Sequence, residues 1–154
     1  MKNLKYILFS IVLSSSTFIY TEVVEVYTWK ANPGKDVELI QAFKEASVIH
    51  EKEGAVVAIE AMNVGSTQGT YQYVMRWNNA TEWGKSKDKI NTSPEWAAFG
   101  SKYAPGSLGV MVSSLSGGNL DQTVKATDFG DPFVYSVNVW EANPGKTQEL
   151  IANF

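Results

Sequence analysis

His50 is the only histidine in the chain, and the chain has no cysteine. Thiol catalysis, disulfides and zinc–thiolate sites are therefore excluded, and an imidazole is the one ordinary side chain able to exchange a proton near neutral pH. Its neighbours in sequence matter for what it can do. Leu39, Phe43, Ala46 and His50 recur at intervals of three and four, which places the imidazole on the apolar stripe of a helix. A neutral imidazole there can serve as a catalytic base, a haem ligand or an orienting donor. A core-edge histidine bonded to a backbone carbonyl is the simpler account and carries more weight.

A second group follows a period of two. Tyr71, Tyr73, Met75 and Trp77 fall on one side of a strand, with Arg76 on the other. Tyr73 and Trp77, with Phe43 from the helix, are the candidate lining of a pocket for a flat apolar ligand, although such a stripe more often fills a core or an interface. Arg76 can clamp a carboxylate, and pairing with Glu60 on the next strand is the preferred expectation. Lys85, Lys87 and Lys89 read as a solvated helix face. No Ser-His-Asp set, phosphate loop or metal-spaced cluster is evident, so no metal site is expected.

The elements that must position these residues follow from patterning. Glu22–Lys30 alternates like a strand, and Asn32-Pro33-Gly34 breaks it, with Asn32 expected to cap a helix running to about Glu53. Strands are expected over 55–64 and 70–77, joined by a glycine-rich turn. Asn79 and Glu82 resemble a capping box opening a second helical region, and Ser93-Pro94-Glu95 starts a short helix carrying Trp96 and Phe99. A fourth strand spans 107–115. The order β-α-β-β-α-β is a ferredoxin-like α+β arrangement. Both faces of its strands are apolar, Val57, Ile59 and Ala61 alternating with Val56, Ala58 and Met62, so the face away from the helices is expected to pack on another sheet.

Self-similarity sets the domain organisation. Residues 26–43 recur as 137–154 without a gap, and 11 of 18 pairs are identical, including the whole Ala-Asn-Pro-Gly-Lys block. The expected division is a complete module over 22–116, a polar linker over 117–131 and a truncated second copy over 132–154. Ahead of these, Lys2, Lys5 and the apolar run Tyr6–Leu13, followed by Ser14-Ser15-Ser16, read as a signal peptide over 1–16. An uncleaved anchor is the alternative, because Phe18, Ile19 and Tyr20 prolong the apolar run. Secretion or a periplasmic location is expected, with no membrane association after signal removal. Loss of Lys2 and Lys5 would take the formal charge from −3 to −5, which makes a nucleic-acid partner a poor fit.

Three short motifs carry a resemblance: Asn32-Pro33-Gly34-Lys35 opening the first helix, Trp77-Asn78-Asn79 ending the third strand, and Ser93-Pro94-Glu95-Trp96 in the second helical region. With them the chain resembles the dimeric α/β-barrel superfamily, in particular antibiotic-biosynthesis-monooxygenase-like and NIPSNAP-like domains. The resemblance implies modules paired sheet to sheet, as homodimers or as tandem copies. It also implies a small-molecule role, which in some members is cofactor-independent oxygenation of aromatic polyketides and in others haem degradation. The histidines often seen around the Ser-Pro element are replaced here by Glu95 and Trp96. The preferred expectation is an exported domain, without cofactor, that binds a small apolar molecule or dimerises. A cofactor-independent oxygenase acting on an aromatic or haem-like molecule through His50 is the alternative.

Overall fold

In a computed structural model, which describes residues 22–121, 123–129 and 134–153, four strands form one antiparallel sheet. The expected signal peptide lies outside the described residues. Strand β1 (Val23–Ala31) runs into helix α1 (Asp36–Lys52), then β2 (Val56–Ala61), β3 (Tyr71–Trp77), α2 (Ala80–Asn91), α3 (Pro94–Lys102) and β4 (Gly109–Gly117). The strand order β2-β3-β1-β4 is that of a ferredoxin-like α+β domain.

Period two sorts the residues. Val23, Tyr73, Met75 and Trp77 pack beneath Leu39, Phe43 and Ala46 of α1 to form the core. The α1 stripe is buried as its spacing requires, Ala42 joining Leu39, Phe43, Ala46 and His50. Asn79 caps α2, its Oδ1 accepting the Glu82 N–H at 2.9 Å, and Ser93 caps α3 by accepting from Trp96 N–H. Where β4 meets β1, Gly109 comes so close to the Lys30 carbonyl that a Cβ would lie 2.6 Å from its oxygen.

Asn32 does not cap α1. The cap position is Lys35, which makes no side-chain cap bond. The Asn32 side chain instead donates to the carbonyls of Gly106 at 2.8 Å and Ser107 at 3.1 Å, while its N–H donates to Leu108 at 2.9 Å. Positive φ at Gly34 (74°) turns the chain back between strand and helix, so the Asn32 amide is left facing the approach to β4.

The same corner recurs at Asn143-Pro144-Gly145-Lys146. Gly145 has φ 76°, and Lys146 N–H donates to Asn143 at 2.8 Å, as Lys35 does to Asn32 at 2.9 Å. A short helix α4 (Thr147–Ala152) follows. The second-copy strand is not formed: among the described residues, 134–143 join no sheet. β1, by contrast, is held by β3 on one side and β4 on the other.

Part of the expected polar linker packs against the domain. Ala126–Phe129 forms a 3-10 turn in which Ala126 is fully buried, its N–H donating to Asn78 Oδ1 at 3.3 Å. Phe129 lies under the Arg76 guanidinium, 3.8 Å from ring centre to Cζ. Arg76 pairs with Glu22 at 2.8 Å rather than with Glu60, because Glu22, just ahead of β1, reaches the end of β3. Glu60 takes the Tyr135 hydroxyl, which burial and that carboxylate hold protonated. These contacts cover the β2–β3 part of the sheet's outer face and leave Val110, Val112 and Leu115 of β4 half-exposed.

Candidate functional site

Between the inner face of the sheet and the helices lies an apolar cleft of about 390 Å³. The volume is within the usual range for small-molecule sites. The structure places all four sequence candidates around it: Phe43 and His50 from α1, Tyr73 and Trp77 from β3. α3 supplies the facing wall. Trp96 and Phe99 stack at 5.0 Å with planes 9° apart, and Trp96 also meets the His50 ring at 4.8 Å. Phe43 tilts against Tyr73 at 5.4 Å and against Trp29 at 6.0 Å. The loop from Tyr103 to Leu108, whose carbonyls Asn32 holds, closes one end.

His50 is 7% exposed, and its Nδ1 lies 2.7 Å from the Tyr73 hydroxyl. Burial, helped by the positive charge of Lys87, lowers the imidazole pKa from 6.5 to about 4. Burial likewise raises that of Tyr73, with Glu51 adding to the effect. Both are thus neutral at pH 7. A base whose conjugate acid titrates near 4 captures protons poorly around neutrality, so burial has made this pair better at hydrogen bonding than at proton abstraction. The His50 ring is packed between Tyr73 and Trp96, with Nδ1 engaged by the Tyr73 hydroxyl.

A second polar cluster was not singled out by sequence reasoning. Glu25 is 6% exposed and accepts from three side chains: Tyr27 Oη and Lys87 Nζ on Oε2, and Trp83 Nε1 on Oε1, each at 2.8 Å. Burial pushes its pKa up, but together these three donors and the Lys87 charge hold it below the usual carboxylate value. The phenol of Tyr27 is pushed up to about 12 by burial and by Glu25. Lys87 is therefore not part of a solvated face; it turns inward and lines the cleft, while Lys89 reaches Glu53 at 3.2 Å. The available signal was Glu25 itself, an acid among the inward-facing Val23, Tyr27 and Trp29, with Trp83 and Lys87 one helical turn apart.

No family model matches the sequence, and no curated protein matches it. Solved structures do. A NIPSNAP family protein from Agrobacterium tumefaciens str. C58 superposes with TM-score 0.53 at 14% identity, over 70% of this chain and 92% of its own. A NIPSNAP domain protein from Burkholderia xenovorans gives 0.51 at 16% identity, over 64% and 93%. The chain shares the ferredoxin-like fold of these NIPSNAP proteins. An uncharacterized NIPSNAP-like domain protein, also from Burkholderia xenovorans, extends the match to 79% of this chain and 97% of its own, with TM-score 0.50 and 13% identity. At such identities the likeness concerns the fold alone. The chemistry must be read from the cleft itself.

Proposed function

We propose that this chain is an exported binding domain that takes a small, flat, apolar molecule into the cleft between sheet and helices. One observation carries the reading: a 390 Å³ cleft walled by Trp29, Phe43, Tyr73, Trp77, Trp96 and Phe99 on two helices and two strands of the sheet. Aromatic walls offer a large contact area with little rotamer entropy to lose, which favours a ring-shaped ligand. The neutral His50–Tyr73 pair supports binding over turnover, because neither group is poised to take a proton at pH 7. The oxygenase reading would need such a group.

The direct test is titration of intrinsic tryptophan fluorescence with a fused-ring probe such as naphthalene or anthracene. Saturable quenching without product is expected, weakened by Trp96→Ala. Linear, non-saturating quenching with every probe overturns the reading, and turnover abolished by His50→Ala would install the enzyme in its place.

Assembly belongs to the same proposal. Val110 and Leu115 are half-exposed on the outer sheet face, and a second copy of this chain is their natural cover.

A further inference from the structure

Five side chains of β1 face the helices: Val23, Glu25, Tyr27, Trp29 and Ala31. The repeat supplies the same five positions a second time, as Val134, Ser136, Asn138, Trp140 and Ala142. The three apolar residues are identical, and both polar ones are replaced. What the two copies share is the apolar frame of the strand and its Asn-Pro-Gly corner, and Glu25 and Tyr27 are outside it. The polar pair belongs to this cleft rather than to the repeated unit.

The Glu25 side chain is sealed in at 7% exposure, whereas that of its partner Lys87 is 35% exposed and lines the cleft together with Tyr27. Tyr27 is only half-buried. Tyr27 Oη and Lys87 Nζ each lie 2.8 Å from the same oxygen, Glu25 Oε2, so they are at most twice that distance, 5.6 Å, apart. One further oxygen can therefore reach both within ordinary hydrogen-bond length.

The hydrogens decide what that oxygen is. Tyr27 gives its only hydrogen to Glu25 and presents lone pairs to an incoming group. Among the described residues Lys87 Nζ makes one hydrogen bond, to Glu25, and keeps two N–H groups. The corner thus suits a group that accepts on one side and donates on the other, which a hydroxyl does. An ether or ketone oxygen can satisfy Lys87 alone. A carboxylate would meet the Tyr27 lone pairs and the Glu25 charge, and Glu25 already offsets the Lys87 charge.

We infer that the cleft selects hydroxyl-bearing aromatic molecules, the ligand hydroxyl accepting from Lys87 Nζ and donating to Tyr27 Oη while its rings lie against the aromatic walls. The inference rests on the binding reading above and adds to it the polar end of the ligand. Tyr27 and Lys87 become the specificity-determining residues, both held in place by Glu25.

The test measures dissociation constants of the full chain for naphthalene, 2-methoxynaphthalene, 2-naphthol and 2-naphthoate by equilibrium dialysis, which does not depend on the tryptophans. With two hydrogen bonds gained, 2-naphthol is expected to bind roughly tenfold more tightly than naphthalene, and the methyl ether, which only accepts, about threefold more tightly. The carboxylate is expected to bind more weakly than 2-naphthol. Tyr27→Phe should bring 2-naphthol and its ether to equal affinity, and Lys87→Met should narrow the naphthol-to-naphthalene ratio by about threefold. Circular dichroism checks folding, and should Lys87→Met not fold, Tyr27→Phe alone decides. Equal affinity for naphthalene and 2-naphthol, or a preference for 2-naphthol over its ether unmoved by Tyr27→Phe, overturns the hydroxyl site and leaves the binding reading standing. Tighter binding of 2-naphthoate than of 2-naphthol overturns the ligand class. Failure of all four to bind overturns the binding reading, and this inference with it.

Discussion

The Tyr73 hydroxyl and His50 Nδ1 meet at 2.7 Å in the interior, joining the middle of β3 to the last turn of α1. Burying the imidazole has a pH signature. Its folded pKa is about 4 and its ordinary value 6.5, so between those limits the unfolded chain holds a proton that the folded one does not. Stability contributed by the neutral ring is complete above about pH 6.5 and is lost as pH falls towards 4. The loss is of order 3 kcal/mol at most. Urea unfolding at several pH values should show this slope in the wild type and a flatter one in His50→Leu. An imidazole that titrates at 6.5 by NMR in the folded protein would contradict it.

Glu25 works in a lower window. Its three donors keep its folded pKa below the ordinary carboxylate value, so the stability it contributes is present above about pH 4.5 and is lost as pH falls through the folded value. Lys87→Met removes the charge and one donor while Tyr27 and Trp83 remain. The carboxyl pKa should then rise and the acid-unfolding midpoint move to higher pH. Glu25→Ala leaves Lys87, Tyr27 and Trp83 unpaired and should cost about 3 kcal/mol in denaturant unfolding. A cost near zero for Glu25→Ala would mean that the cluster does not tie α2 to the sheet.

The two copies of the Asn-Pro-Gly corner separate turn chemistry from tertiary bonding. Asn32 and Asn143 have the same neighbours and nearly the same turn, yet Asn32 alone holds the carbonyls of Gly106 and Ser107 among the described residues. Asn32→Ala should therefore destabilise the domain by about 1–2 kcal/mol, and Asn143→Ala by a few tenths. It should also loosen the 103–108 loop and weaken probe binding in the cleft. Equal effects at the two sites would show that both asparagines serve only their turns.

What could be read from residue order was what depends on local periodicity. Period two on β3 and the three-four spacing on α1 put Phe43, His50, Tyr73 and Trp77 on facing surfaces, and the cleft follows from those surfaces meeting. The Asn79 cap was legible because a cap and its N–H donor lie three residues apart, and the start of α3 because Pro94 suits a first helical turn. The failures all cross the fold. Glu25 meets residues 58 and 62 positions away, Asn32 meets carbonyls 74 and 75 positions away, and Arg76 chose Glu22, 54 positions back, over Glu60. Such partners are fixed by the antiparallel register and by the placing of α2, and no spacing rule reports them. The α3 wall was half legible: Trp96 and Phe99 lie on one helix face, but only the return of α3 over α1 shows that Trp96 meets His50.

The exposed strip on β4 bears on assembly. Val26 pairs with Leu115 and Lys30 with Val110 across the ladder, so these apolar side chains continue the outer face of β1 to the edge of the sheet. Beyond β1, the other half of that face is occupied by the 3-10 turn, Phe129 and Tyr135. A second copy must therefore seat on the β1–β4 half, or displace the C-terminal segment to reach the whole. Sedimentation should show a dimer in the full chain. Leu115→Lys should convert it to monomer, because a lysine ammonium buried between two sheets lacks a partner. Removing residues 119–154 should tighten the dimer, since β2 and β3 become available to it. A full-length monomer unaffected by Leu115→Lys would show that the strip is not an interface. Weaker association after truncation would instead place the C-terminal segment within the contact.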